Sequence, residues 1–115
     1  MPKPMREPTF WILTALVDRP RHGYAVMKQV SVLSGGEMKL LAATLYAALD
    51  RLAVEGLVEV DHEEVVDGRP RRYYRLTADG GAALAAETER LRRNVRAASR
   101  LLAGRPEAGP AVLFG

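Results

Sequence analysis

Apolar residues fall into two rhythms along this chain. From Phe10 to Leu57, and again from Leu84 to Leu102, they recur every three or four residues, the spacing of a helix face; between Val58 and Leu76 they alternate, the spacing of a strand. The first helical stretch, Thr9 to Arg19, follows Pro8, which suits a first helical turn because its missing N–H has no partner there. Phe10, Trp11, Ile12, Leu13, Ala15, Leu16 and Val17 make it apolar nearly all round. Such a helix must be covered on more than one side, and in so short a chain the second cover is expected from a partner protomer. Pro20 is expected to break it. A second helix is predicted from His22-Gly23-Tyr24 to about Leu33, with Val26, Met27, Val30 and Leu33 as its core face, stopped by Ser34-Gly35-Gly36. Glu37 to Leu41 connects to a third, in which Leu45, Leu49 and Leu52 line one face and Ala43, Ala47, Asp50 and Val54 the other. Gly56 suits the left-handed residue that ends it.

The alternating stretch reads as a hairpin. Val58, Val60 and His62 are expected on one face of the first strand, with Glu59, Asp61 and Glu63 on the other. Asp67-Gly68 is a strong two-residue turn signal. The return strand puts Arg72, Tyr74 and Leu76 on one face and Arg71, Tyr73 and Arg75 on the other, with Tyr74 and Leu76 turned to the core. Thr77 can cap a last helix, and Asp79 in its first turn suits the helix dipole, while Gly80-Gly81 weakens the start. Along that helix Leu84, Thr88, Leu91, Val95, Ala98 and Leu102 follow at alternating spacings of four and three, a short heptad seam. Glu87 with Arg90, and Glu89 with Arg92 and Arg93, can pair along it. No surface within the domain is long enough to cover the seam, so a homodimer is expected.

The fold class is therefore α+β, mostly α: a winged helix-turn-helix with a long C-terminal dimerisation helix. The expected organisation is residues 1–77 as the winged helix-turn-helix DNA-binding domain, opening on a frayed arm, 78–103 as the dimerisation helix and 104–115 as a flexible tail. No internal repeat is present.

Composition narrows the function. With 115 residues, 48% of them hydrophobic, the chain can bury one small core. The absence of cysteine excludes a disulfide scaffold and thiolate metal sites, and fits a cytoplasmic location. Two histidines, His22 and His62, are too few for a histidine metal cluster. His22 is expected to start the second helix, and His62 to be a strand residue with an ordinary hydrogen bond. There is neither a glycine-rich phosphate loop nor a His–acid constellation, so neither an enzyme nor a cofactor is expected. The amino terminus lacks the pattern of a signal peptide, and no apolar run approaches the roughly 20 residues a membrane span needs. Net charge is +3, and its placement says more than its size: Arg69, Arg71, Arg72 and Arg75 fall at the hairpin, and five more arginines lie between Arg90 and Arg100. Segregation of this kind can aim one face at a polyanion.

The candidate contacts follow from side-chain chemistry. Thr44 and Tyr46 on the third helix, Tyr24 and Lys28 on the second, and Lys39 just before the third can reach phosphate oxygens. Arg51 flanks the same helix. Ala43 and Ala47 carry no hydrogen-bond code, but their methyl groups can lie against thymine methyls. Arg69, Arg71 and Arg72 at the wing can enter a narrow minor groove or grip phosphates. So sparse an outer face puts much of any specificity on DNA shape and dimer symmetry. Phe10, Leu13, Leu84, Leu91, Val95 and Leu102 are candidates for the dimer interface. Phe10 and Trp11 could also form a flat aromatic surface for a small aromatic effector, though plain packing is the preferred reading for both. Tyr73 and Tyr74 read as hairpin and core packing.

Three motifs stand on these elements in order: His22-Gly23-Tyr24; Thr44-Leu45-Tyr46 followed by Leu49, Leu52, Glu55, Gly56 and Leu57; and Gly68-Arg69-Pro70-Arg71-Arg72-Tyr73-Tyr74-Arg75-Leu76-Thr77. Together they resemble the PadR family of bacterial transcriptional regulators, over roughly Pro8 to Leu102, and the single C-terminal helix resembles its short subfamily. The resemblance implies a dimeric winged-helix repressor that pairs through its last and first helices, with double-stranded DNA and itself as partners. In some members a small aromatic or drug-like molecule binds between protomers. The family often carries glycine before Thr-Leu-Tyr where this chain has Ala43. The alternative is a winged-helix dimerisation or protein-interaction module that does not bind DNA.

Overall fold

A computed structural model of the chain describes residues 3–106. Four helices and three strands run in the order α1 (Glu7–Ala15), β1 (Arg21–His22), α2 (Gly23–Leu33), α3 (Ala42–Val54), β2 (Val58–Val66), β3 (Arg69–Leu76) and α4 (Ala78–Ala103). The first three helices enclose the core. Ile12, Leu13 and Leu16 come from α1 and the turn after it, Val26 and Val30 from α2, Leu45, Leu49 and Leu52 from α3; all are fully buried, as is Val58 of β2. The helical periods of the sequence are thus realised, with one exception: Leu33, expected in the core, lies at the open C-terminal end of α2 and is exposed. Gly35 (φ 65°), Gly36 (φ 85°) and Gly56 (φ 78°) take left-handed backbone where α2 and α3 end.

Helix α1 stops well before Pro20. The cause is Arg21, which is buried and whose guanidinium donates to the Ala15 carbonyl (2.6 Å) and to Asp18 Oδ1 (2.6 Å). A helix end leaves carbonyls without partners, and Arg21 takes one of them while the chain turns back. The Arg21 contact holds the Asp18 carboxyl below its ordinary range. The same residue begins β1, a two-residue strand absent from the sequence reading. It pairs antiparallel with β3, Arg21 opposite Tyr74 and His22 opposite Tyr73, so the sheet has the order β1-β3-β2.

The wing departs from simple alternation. Val58 pairs with Leu76, Glu59 with Arg75 and Val60 with Tyr74, but the register then slips: His62, not Asp61, faces Tyr73. Asp61 is the extra residue of a β-bulge. Beyond it the faces exchange, so His62 and Glu64 share a side with Tyr73 and Arg71, while Glu63 shares one with Arg72. Val60 is half-exposed and no residue of β2 after Val58 is buried. The expectation of a half-buried strand with His62 on the Val58 face is corrected accordingly. The turn forms at Asp67 (φ 52°) and Gly68 (φ 76°), both left-handed as a tight hairpin requires.

Thr77 caps α4, its hydroxyl accepting from the Gly80 N–H at 2.9 Å. Its own N–H reaches the Leu57 carbonyl and its Oγ1 donates to Gly56, so the helix start is docked onto the end of α3. From there α4 runs for 26 residues, about 39 Å at helical rise. Only its first ten or so residues meet the rest of the chain: Leu84 and Glu87 are buried, and every residue from Leu91 onward is exposed. Arg90 binds Glu87, Arg92 binds Glu89, and Arg93 lies 3.9 Å from Glu89, as the spacing predicts. The arm read as frayed is anchored at Met5, which packs on the core.

Candidate nucleic-acid interface

A cleft of about 1000 Å³ lies between the wing and the starts of α2 and α3. Tyr24 and Tyr46 line its helical side; Arg69, Arg71 and Arg72 line its wing side. Five of the candidate residues are therefore brought together. His22, Gly23, Asp50, Glu63 and Asp67 also line it; of these His22 and Gly23 carried a motif signal and Asp67 a turn signal, while Asp50 and Glu63 carried none that pointed to the site.

Gly23 owes its identity to Tyr46. A Cβ at position 23 would stand 2.7 Å from Cε1 of the Tyr46 ring and closer still to its hydroxyl. The α2 start and α3 meet through this ring-on-backbone contact, so two of the motifs form one structural unit. Tyr46 keeps nearly half its surface exposed, and Tyr24 is exposed beside it, with the Lys28 ammonium 5.6 Å from its ring centre. His22 accepts from the Ala25 N–H at 3.4 Å and so caps α2. Burial, and next the Arg71 charge, lower its pKa from the ordinary 6.5, which keeps the ring neutral and able to accept.

Lys39, Ala43, Thr44 and Ala47 are exposed but do not line the cleft; they lie before and along the outer face of α3. Arg51 turns away. Its guanidinium donates to Thr9 Oγ1 at 3.0 Å and lies 3.5 Å from Glu55, which ties α3 to α1. Among the expected interface residues, Leu13 is fully buried and Leu84 nearly so within the protomer's own core, which leaves little side-chain surface there. Leu91, Val95 and Leu102 are exposed on α4. Phe10 and Trp11 are half-buried, packed edge to face at 5.3 Å, and the indole N–H donates to Glu7.

The wing arginines divide into two sets. Arg72 pairs with Glu63 (3.2 Å), and Arg75 with Glu59 (Nε–Oε2 2.7 Å) and, more distantly, Asp61. Arg69 and Arg71 have no carboxylate within 4.0 Å among the described residues. The wing as a whole is not cationic: Glu59, Asp61, Glu63, Glu64 and Asp67 outnumber its four arginines by one. Its positive field is local, concentrated at Arg69 and Arg71 on the rim of the cleft.

The model of the transcriptional regulator PadR-like family matches residues 12–86, about two thirds of the chain, from the middle of α1 to the start of α4. The chain belongs to the PadR-like family of transcriptional regulators. The transcriptional regulator Rv3488 of Mycobacterium tuberculosis is 41% identical over 73 residues, covering 64% of each chain. A PadR family transcription regulator from Clostridium difficile is similar in structure, with a TM-score of 0.68 at 25% identity, over 82% of this chain and 96% of that one. Bacillus subtilis PadR, solved in complex with operator DNA, has a TM-score of 0.65 over 98% of this chain and 55% of that one; at 18% identity it shows the shared fold alone. The PadR-like family and its named members are transcriptional regulators, not enzymes. None of the described helices is long and apolar enough to cross a membrane.

Proposed function

We propose that this PadR-family chain is a sequence-specific DNA-binding regulator that acts as a homodimer, most simply as a repressor of an inverted-repeat operator. The observation that carries the reading is the cleft flanked by α3 and the wing, with Tyr24 and Tyr46 exposed on its rim and Arg69 and Arg71 there without a carboxylate partner among the described residues. Helix α3 presents Ala43, Thr44 and Ala47 outward and is narrow enough for a major groove. Arg69 and Arg71 then meet the flanking backbone or minor groove. The exposed Leu91, Val95 and Leu102 on a helix half that nothing covers supports self-association along α4. Two-fold symmetry would set half-sites about one or two helical turns apart.

Polarisation titration of the chain against duplexes from its own promoter region, at two salt concentrations, tests the DNA reading. Tight binding that weakens steeply with salt is expected, because phosphate contacts release counterions. Flat curves with every duplex would instead support a winged-helix module that only pairs with protein. Light scattering reports the dimer, and a monomer at micromolar concentration refutes it. A small aromatic effector is proposed to bind beside Trp11. Titration of its emission tests this, and no saturable change with any compound that releases DNA removes Trp11 from the role.

A further inference from the structure

Both histidines of the chain lie against one wing residue, Tyr73. His62 stacks on its ring, centroids 4.3 Å apart and planes at 12°, while His22 meets its edge at 5.3 Å and 85°. The bulge at Asp61 makes this possible, since without it His62 would face the other side of the sheet. The two rings differ in surroundings. His22 sits at the α2 start near Arg71, capping the helix as a neutral acceptor. His62 has Asp61 at 2.5 Å from Nδ1 and Glu64 at 3.4 Å from Nε2, a carboxylate on each nitrogen.

The charged groups around His62 come from its own strand and from β3, its one neighbour. Asp61 and Glu64 flank it on β2; from β3, Arg71 lies opposite Glu64, and Arg75 reaches Asp61 at 3.9 Å. Tyr73 offers a ring face, which favours a cationic neighbour. Neutral His62 leaves the wing with one carboxylate more than it has arginines; protonated His62 cancels that excess on the strand face it shares with Glu64 and Arg71.

We propose that His62 is a proton-operated charge on the wing that makes duplex DNA affinity depend on pH. This rests on the DNA-binding reading above. Protonated, His62 donates from both nitrogens to Asp61 and Glu64 and leaves the field at the cleft rim positive. Neutral, it can donate from only one, and the unmatched carboxylate repels the phosphates that Arg69 and Arg71 engage. The Asp61 hydrogen bond first, opposed by some desolvation and aided by Glu64, raises the His62 pKa above its ordinary 6.5. A nearby phosphate backbone raises it further, so binding takes up a proton. The sign follows: affinity is full below the raised value of the free chain and falls as pH rises through it.

The experiment is polarisation titration of the full chain with a promoter duplex from pH 5.5 to 8.5 at constant ionic strength. The native chain is expected to lose roughly two- to fivefold in affinity per wing across that range, the scale of one exposed charge pair. His62→Gln should be flat at the weaker value, and His62→Arg flat at the tighter one. His62 is exposed on an edge strand, so both variants are expected to fold, and circular dichroism checks this. His22→Asn, which keeps a capping side chain, should retain the native pH dependence. A pH dependence that survives His62→Gln, or disappears in His22→Asn, overturns the proposal while leaving the DNA reading intact; a native affinity that ignores pH does the same. No binding at any pH overturns both.

Discussion

Gly80 and Gly81 adjoin in the first turns of α4, yet replacing each with alanine should move stability in opposite directions. A Cβ on Gly80 would stand 2.8 Å from Leu76 Cδ1, 3.0 Å from the Leu57 carbonyl carbon and nearer still to its oxygen. That oxygen is backbone and already accepts from the Thr77 N–H at 3.1 Å. Relieving the contact means lifting the helix start by more than an ångström, which breaks that bond and strains the Thr77 hydroxyl bond to Gly56. Overpacking of this kind costs about 1–3 kcal/mol, and the lost hydrogen bond about 1 kcal/mol. Alanine returns about 1 kcal/mol through helix propensity, leaving a net loss of about 2 kcal/mol. For a domain of this size that is a fall of roughly 10 °C in Tm. At Gly81 the nearest atom is Leu76 Cδ2 at 3.8 Å, an ordinary contact, so only the propensity gain remains and Tm should rise by roughly 4 °C. Urea and thermal unfolding, followed by the single tryptophan and by circular dichroism, measure both at one protomer concentration, because self-association would otherwise move the midpoints. A Gly80→Ala chain as stable as the native one would refute the reasoning, since it would mean that α4 is not fixed against Leu57.

Three further outcomes are expected. Gly23→Ala should displace the Tyr46 ring and weaken duplex binding about tenfold with little change in Tm; unchanged affinity in a polarisation titration would separate Tyr46 placement from binding. Arg71→Gln should lower the slope of log affinity against log salt by about one per protomer, whereas Glu63→Gln, which releases Arg72, should tighten binding; equal slopes in native and Arg71→Gln chains would place Arg71 away from phosphate. On the acid side, Arg90 first, and then the Met5 backbone, hold the Glu87 carboxyl below its ordinary pKa against the opposing effect of burial. A depressed folded-state value means stability present above about pH 4.5 and lost as pH falls through the folded value. Glu87→Gln should therefore flatten the fall in Tm between pH 5 and 3, and an unchanged profile would assign the acid sensitivity elsewhere.

Much of this architecture is written in local spacing. The leucines of α3, the Asp67-Gly68 turn, the Thr77 cap and the Glu–Arg pairs of α4 are all properties of residues within a few positions of one another, and the structure follows each. What escaped depends on distant partners. Arg21 looks like a surface charge beside Pro20, and only folding brings it under the Ala15 carbonyl and against β3. The Asp61 bulge has no glycine to signal it, and it reverses the sides of every later residue in β2. The candidate site was half legible for the same reason. Tyr24, Tyr46 and Arg69 to Arg72 could be named from their types and positions, but that Glu63 occupies Arg72, and that Thr9 and Glu55 draw Arg51 away, depends on pairings between elements.

The five residues from Asp18 to His22 act as a joint. One side chain grips the end of α1, two backbone units stitch to the root of the wing, and the last ring seats the first turn of α2. Three elements with different tasks thus share a hub with no slack between its attachments. Sliding α1 along its axis must either drag the wing root with it or break the Arg21 bonds. Any displacement of α1 would therefore be felt at the wing root through the Arg21 bonds to Ala15 and Asp18.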